Sequence, residues 1–184
     1  MSTLLANPVP NNRHSIEQYI LAKDGNRPDL LRQAFSPEAT VEMLVHTDAI
    51  SFPSTLEGLG AIAQTLVRGF GQTYENVYTF CLGEPPVSDA SAYTCKWLVG
   101  MTVKETGAVR VGCGQYDWRF DSQSGLVVHL TITIDHMQVS PAADLIPVMN
   151  WLQGLGYPWC QADDVIAKAP QLSSIAPVIG YLQS

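Results

Sequence analysis

The sequence predicts an α+β fold in which a curved antiparallel sheet wraps around N-terminal helices and forms a cone-shaped pocket. Two observations lead to this fold class. Residues 108–139 alternate between apolar and polar side chains on both sides of the turn 121–125, which indicates a long hairpin. Residues 15–35 and the chain after His136 instead carry apolar residues at helical spacing. Because a hairpin is not stable alone in water, further strands and a helical layer must cover its apolar face.

The elements follow from the same periodicities and from their start and stop signals. Ser15 is expected to cap the first helix with Gln18 as its capping-box partner, and Pro28 opens a second helix that ends before Pro37. Helices are predicted over residues 15–25, 28–35, 60–70, 141–154, 163–169 and 174–182, and strands over residues 39–46, 75–82, 90–103, 109–120 and 126–136. Four successive antiparallel strands wrapped around the first helices make a cone with an apolar interior.

Composition indicates one globular domain. The chain has 184 residues, of which 46% are hydrophobic and only 15% charged. We expect a cone domain over residues 1–140, with residues 1–13 as a mobile lead, and a C-terminal helical extension over residues 141–184. The charged fraction is below the roughly 25% usual for globular domains. We therefore expect part of the surface to be covered by a ligand or by a second copy in a homodimer.

Charge and hydropathy exclude several functional classes. The chain has ten Lys and Arg residues and 17 Asp and Glu residues, which gives a net charge of −7. No basic cluster is present, so we expect no nucleic-acid partner. No apolar run approaches the roughly 18 residues of a membrane span, and the N-terminus has no export signal, so we expect no membrane association. The four cysteines form no Cys-x-x-Cys pair, which favours reduced thiols and a cytoplasmic location.

Two stretches of the chain resemble a known family. The first runs from the first predicted helix into the first strand, and the second lies in the hairpin. They comprise Tyr19-Ile20, Asp29-Leu30-Leu31, Phe35 and Ala39-Thr40-Val41-Glu42, and then Tyr116-Asp117-Trp118-Arg119-Phe120 with Gly125-Leu126-Val127. In these residues the chain resembles the SnoaL-like and ketosteroid-isomerase-like branch of the nuclear transport factor 2-like (cystatin-like cone) superfamily. The resemblance implies a small-molecule enzyme that works without a cofactor.

The resemblance also implies roles for three residues. Tyr19 lies where the isomerases have a tyrosine that donates a hydrogen bond to the developing oxyanion. Tyr116 lies where they have a protonated aspartic acid that serves the same oxygen. Their aspartate base corresponds to Met43, which cannot accept a proton. Catalysis by this chain therefore needs another base.

Two histidines are candidates for that base. His46 and Asp48 lie in the loop after the first strand, where a carboxylate near an imidazole can hold one tautomer. Alternation from Ile132 and Ile134 predicts that His136 points into the apolar interior. The alternatives are that His46 and Asp48 belong to an exposed polar loop and that His136 is a satisfied core histidine.

The expected pocket has an apolar wall with two hydroxyl donors. The predicted substrate-binding residues are Met43, Trp97, Trp118, Ile132 and Ile134. Ordinary core packing is the alternative for the aromatic residues. The histidines and cysteines lack the spacing of converging metal ligands, so we expect neither a metal nor a cofactor.

Two functional hypotheses follow. The first is a SnoaL-like enzyme that isomerises, dehydrates or cyclises a hydrophobic carbonyl compound by acid-base catalysis. The second is a non-catalytic small-molecule-binding or dimerisation module with the same fold. Polar groups that converge in a cavity favour the enzyme, and a cavity filled by the protein's own side chains favours the module. The apolar stripes of the helical extension must be buried, either over the cone mouth or at a homodimer interface.

Overall fold

The computed structural model describes residues 11–184, so most of the predicted lead lies outside the described residues. The α-helices are α1 (Asn12–Asp24), α2 (Gly58–Ile62), α3 (Phe70–Thr73), α4 (Leu145–Gln153), α5 (Ala162–Lys168) and α6 (Ala176–Gln183). The strands are β1 (Phe35–Val45), β2 (Thr55–Glu57), β3 (Tyr74–Leu82), β4 (Ala92–Val103), β5 (Val109–Phe120), β6 (Val127–Ser140) and β7 (Trp159–Cys160). Shorter 3-10 helices cover Pro28–Gln33, Ala142–Asp144 and Ser173–Ile175.

Helix α1 begins earlier than predicted. The side chain of Asn11 caps it by accepting a hydrogen bond from the backbone nitrogen of His14 at 3.0 Å. Ser15, the predicted cap, lies inside the helix and donates through its hydroxyl to the carbonyl of Gly125 at 2.8 Å. The predicted capping box is therefore wrong, and the Ser15 bond instead attaches α1 to the turn of the hairpin.

The second and third predicted helices also differ from the prediction. The second is a 3-10 helix, and β1 begins at Phe35 and continues through Pro37. The third is one continuous helical segment, in which the π-helix Ala63–Gly69 joins α2 to α3. The short strands β2 and β7 lie where loops were predicted. The long strands β3 to β6 all form within a few residues of their predicted bounds.

The seven strands form one curved mixed sheet in the order β2-β1-β6-β5-β4-β3-β7. Strands β3 to β6 pair antiparallel, as predicted. Strand β1 pairs parallel with β6, and β7 pairs parallel with β3, so the sheet is not wholly antiparallel. A parallel pair requires a long crossover, and the chain between β1 and β6 provides one. The predicted α+β fold is confirmed, with this correction to the sheet.

A β-bulge bends the sheet in the middle of the hairpin. Cys113 pairs with His136 and Gly114 pairs with Ile134, so Asp135 is an extra residue in β6. Only glycine fits opposite the bulge, because a Cβ on Gly114 would lie 1.8 Å from the carbonyl oxygen of Thr133. The extra residue changes which face of the sheet every later side chain in β6 points to.

The sheet is covered on its inner face and, over β3 to β5, on its outer face as well. Its inner face packs against α1 and the helical segment 58–73, and residues there include Tyr19, Tyr116 and Ile132. Its outer face, over β3 to β5, packs against α4, α5 and α6. The prediction that the helical extension caps the cone mouth is therefore wrong, because it covers the outer face of its own sheet. Within residues 11–184, no helix is long and apolar enough to cross a membrane.

Candidate functional site

A narrow cavity lies inside the cone. Its volume is about 40 Å³. A cavity of this size holds a few waters, since one water needs roughly 10–15 Å³. The cavity is lined by Tyr19, Lys23, Met43, Ile50, Phe52, Leu66, Phe70, Trp97, Val99, Met101, Tyr116, Ile132, Ile134 and Met137.

Six predicted site residues line this cavity. They are Tyr19, Met43, Trp97, Tyr116, Ile132 and Ile134. The residues predicted from the resemblance and from strand alternation therefore lie around one cavity. The roles of these residues in binding and catalysis stay predictions. The indole nitrogen of Trp97 donates to the carbonyl of Thr133 at 3.2 Å, which fixes the ring against the bulge.

The two tyrosines form the polar part of the wall. Burial, followed by the charge of Asp24, raises the pKa of Tyr19, and the Tyr116 hydroxyl opposes the rise by hydrogen bonding to Tyr19. Burial, followed by the proximity of Tyr19, raises the pKa of Tyr116 as well. Both phenols are therefore protonated at neutral pH and able to donate hydrogen bonds.

Trp118 lies behind this wall rather than in it. Its ring centroid is 5.7 Å from that of Tyr19 and 5.2 Å from that of Tyr116, and its side chain is almost fully buried. The prediction that it contacts a substrate is not supported by its position. Its packing instead holds both phenol rings in place.

Lys23 is the ionisable residue of the cavity that sequence reasoning missed. It lies four residues after Tyr19 in α1, so both belong to the buried face of the helix. Its side chain is only 11% exposed, and its Nζ lies 4.4 Å from the centroid of the Phe70 ring. Burial lowers the pKa of Lys23, while Asp24 opposes this change. A charged residue on an otherwise apolar helical stripe was the signal that could have identified it.

A buried network surrounds the amine. Lys23 Nζ donates to the Thr79 hydroxyl at 2.9 Å, and that hydroxyl donates to Asp24 Oδ1 at 2.7 Å. Asp24 Oδ2 accepts from the Thr79 backbone nitrogen and from the Tyr157 hydroxyl, each at 2.7 Å. Burial raises the pKa of Asp24, and Lys23 followed by these hydrogen bonds opposes the rise. The helical extension thus contributes Tyr157 to the support of the site.

The predicted bases lie elsewhere. His136 was predicted to point inward, but the bulge at Asp135 turns it to the outer face, where its ring centroid is 5.7 Å from that of Tyr181 in α6. His46 and Asp48 are exposed, and neither lines the cavity. These three residues are therefore not placed to act on a ligand inside the cone.

His46 has a carboxylate partner, but it is not Asp48. Its Nδ1 lies 2.9 Å from Asp135 Oδ1, and its side chain is 58% exposed. Burial, followed by a hydrogen bond to Asp135, raises the pKa of Tyr181. The pair therefore belongs to the contact between the sheet and α6, outside the cavity.

All four cysteines are buried and free, as expected for reduced thiols. Over residues 11–184, no group of three or more His, Cys, Asp or Glu side chains is arranged to hold a metal ion.

Comparisons with solved structures support the fold. A protein from Mycobacterium tuberculosis matches with a TM-score of 0.56 and 10% identity, over 71% of this chain and 98% of that chain. An NTF2-like protein from Burkholderia thailandensis matches with a TM-score of 0.52 and 14% identity, over 68% and 91%. This chain has the NTF2-like fold. The resemblance predicted from the sequence is confirmed at this level.

The same comparisons include an enzyme. An epoxide hydrolase from M. tuberculosis that is described as LEH-like matches with a TM-score of 0.50 and 11% identity, over 70% of this chain and 86% of that chain. At these identities the similarity concerns the fold. No protein-family model and no curated protein matches the sequence.

Proposed function

We propose that this protein is a cofactor-independent enzyme that carries out acid-base chemistry on a small hydrophobic carbonyl compound, by isomerisation, dehydration or cyclisation. One observation carries the proposal. A single apolar cavity is lined both by a buried amine, Lys23, and by two protonated phenols, Tyr19 and Tyr116. A base and hydrogen-bond donors in one water-poor cavity are the parts that proton transfer next to a carbonyl needs.

The roles of the three residues follow from the directions in which burial shifts their pKa values: the neutral form of Lys23 becomes easier to populate, and the phenols stay protonated. Tyr19 and Tyr116 both line the cavity, and the Tyr19 hydroxyl is assigned as the donor to the oxygen of a bound carbonyl compound. Neutral Lys23 takes a proton from the carbon next to the carbonyl, and the electrons of that C–H bond form an enolate whose charge the phenols stabilise. For a β,γ-unsaturated ketone the ammonium returns the proton to the γ carbon of the dienolate, which moves the double bond into conjugation. For a β-hydroxy ketone it protonates the hydroxyl, which leaves as water while the enolate electrons form the new C=C bond.

The network behind Lys23 stabilises its charged form during the reaction. The Thr79 hydroxyl accepts a hydrogen bond from the amine and donates one to Asp24. Asp24 Oδ1 lies 3.7 Å from Nζ, so it compensates the positive charge that Lys23 gains. Asp24 and Tyr157 also line a second, open pocket, although the Asp24 side chain is only 6% exposed.

The fold itself is compatible with this proposal. One structural neighbour is described as an epoxide hydrolase, so an enzyme for small molecules is known on the same fold. The reaction proposed here depends on the residues of this chain and not on that neighbour.

Hydrogen exchange tests the function without knowledge of the natural substrate. Small ketones, such as acetone, cyclopentanone and cyclohexanone, would be incubated with the protein in D₂O, and loss of the signals of the hydrogens next to the carbonyl would be followed by NMR. Binding of each ketone would be measured separately by saturation-transfer NMR. We expect exchange above the buffer rate for at least one ketone that binds. Binding without exchange contradicts catalysis.

A binding module is the second candidate. It is favoured by the small open volume and by Ile50 and Phe52, which fill part of the cavity from the loop after β1. In that case ketones bind, the exchange rate equals that of the buffer, and replacement of Lys23 leaves the exchange rate unchanged. The exchange assay therefore separates the two candidates.

A further inference from the structure

An open groove adjoins the mouth of the cavity. It has a volume of about 400 Å³ and is lined on one side by the loop after β1 and on the other by the helical segment 58–73. Ile50, Phe52 and Phe70 line both the groove and the cavity. Phe70 also lies 4.4 Å from Lys23 Nζ, so a single ring separates the groove from the amine.

Arg110 forms the cationic wall of this groove. It lies on β5 opposite Met101, a residue of the cavity, and its guanidinium carbon is 5.7 Å from the centroid of the Tyr74 ring. One terminal nitrogen donates to the carbonyl oxygen of Ala49 in the loop. The Nε of the same guanidinium is buried, and it has no hydrogen-bond partner among residues 11–184. The hydrogen-bonding capacity of Arg110 is thus incompletely used.

The charges around Arg110 favour an anion. No Asp or Glu lines the groove, and no ion pair within residues 11–184 includes Arg110. Arg27 also lines a pocket without an ion pair to these residues, but Asp24 lines that pocket too. The hydroxyls of Ser51, Thr65 and Thr73 line the same groove and can complete the coordination of an oxyanion.

We propose that Arg110 forms a carboxylate-binding subsite at the mouth of the cavity. The inference rests on the proposed function and deepens it: the substrate is a keto acid whose carboxylate lies in the groove and whose carbonyl end passes Phe70 into the cavity. A planar guanidinium matches a carboxylate, because two parallel N–H groups can donate to its two oxygens. The terminal nitrogen that does not bond to Ala49 is the group of Arg110 assigned to the carboxylate.

Matched ligands test the subsite. Keto acids of increasing chain length, beginning with levulinate, would be compared with their methyl esters, which keep the carbonyl and lose the charge. Affinities would be measured by calorimetry at one low ionic strength, because an open groove is screened by salt. We expect the best acid to bind about tenfold more tightly than its ester, as hydrogen bonds to charged groups are stronger than neutral ones.

Three variants test whether the preference for the keto acid over its ester depends on Arg110. Arg110→Gln removes the charge, and Thr65→Glu keeps Arg110 and its bond to Ala49 while placing a competing carboxylate in the groove. Both are expected to remove the preference for the acid. Arg68→Gln is the matched control, because Arg68 is exposed on the same helical segment and does not line the groove. It is expected to keep the preference.

The outcomes separate this inference from the proposed function. Esters and acids that bind equally to the unmodified protein, or a preference that survives in both Arg110→Gln and Thr65→Glu, overturn the subsite and leave the cavity function in place. Failure of acids and esters to bind, when a simple ketone binds, overturns the subsite alone, and failure of the simple ketones as well overturns both proposals. A preference lost in those two variants and kept in Arg68→Gln supports the subsite.

Discussion

At the scale of single residues, Lys23 determines the expected pH dependence. Burial lowers its pKa below the ordinary value of 10.5, so the neutral amine becomes populated at a lower pH than in an exposed lysine. The exchange rate should rise with pH through this lowered pKa. It should not fall again by pH 10, because the pKa values of Tyr19 and Tyr116 are raised above their ordinary value of 10.0. NMR exchange rates across the neutral and alkaline range measure the profile, and a decline below pH 10 would contradict it.

The two phenols are expected to differ in importance. Tyr19→Phe removes the donor to the carbonyl oxygen and should lower the exchange rate by about 10²- to 10³-fold, the usual cost of one oxyanion donor. Tyr116→Phe acts through Tyr19 and should cost less. Tyr78→Phe is the control, because Tyr78 packs on the outer side of the sheet. Equal rates for Tyr19→Phe and the control, at unchanged ketone affinity, would exclude Tyr19 as a donor.

Some residues of the cavity could be identified from the sequence, and one was missed. Tyr19, Tyr116 and Met43 were found through the resemblance, and all three line the cavity. Lys23 was not found, because a lysine on a helix is usually solvated. Its place on an apolar helical stripe indicated burial, which the packing of Phe70 and the hydrogen bond to Thr79 show directly.

At the scale of elements, the bulge in the hairpin makes a prediction about stability. Gly114→Ala would place a methyl group 1.8 Å from a backbone carbonyl, which cannot be relieved by a side-chain rotation. We expect a loss of about 3 kcal/mol or more in the free energy of unfolding, at the upper end of overpacking costs. Urea denaturation measures it.

Gly60→Ala provides the control for this substitution. No heavy atom lies within 4 Å of its Cβ position, and Gly60 lies in α2. Alanine there should stabilise the protein by up to about 1 kcal/mol, because glycine is the poorer helix former. A Gly114→Ala protein as stable as Gly60→Ala would show that the bulge is absent.

Because of the same bulge, strand alternation predicted the inward-facing residues of β6 only in part. Alternation correctly predicted that Leu130, Ile132 and Ile134 face inward, and it failed at His136 because one extra residue intervenes. Nothing in the local pattern marks Asp135 as that residue. Its position depends on the register with Cys113 and Gly114, which is a property of the paired strands rather than of either strand alone.

At the scale of the whole molecule, the helical extension is predicted to be required for solubility. A chain shortened at Ser140 would expose Phe80, Leu98 and Val111 on the outer face of the sheet. We expect it to self-associate, since large contiguous apolar patches are rare on monomeric proteins. Light scattering measures this, and Ile146→Asp, at a side chain that is 65% exposed, is the control that should change nothing. A shortened chain with the particle size expected of a single copy would contradict the account.

The position of this extension was partly readable from the sequence. Residues 97–101 form a continuous apolar run instead of alternating, which is typical of a strand buried on both faces. A sheet covered on both faces also accounts for much of the low charged fraction, which had favoured a homodimer. The homodimer stays a prediction, which light scattering of the full chain tests.

We propose Lys23 as the base of a carbonyl-binding cavity. A comparison of two lysine variants tests this role most directly. Lys23→Met keeps the approximate volume and removes the amine, and Lys104→Met removes an exposed lysine in the turn after β4. For a ketone that both variants bind, Lys23→Met should lower the exchange rate by about 10²- to 10⁴-fold, the usual contribution of a general base. Lys104→Met should exchange at the unmodified rate. Equal exchange rates in the two variants, at equal ketone affinity, would contradict the claim.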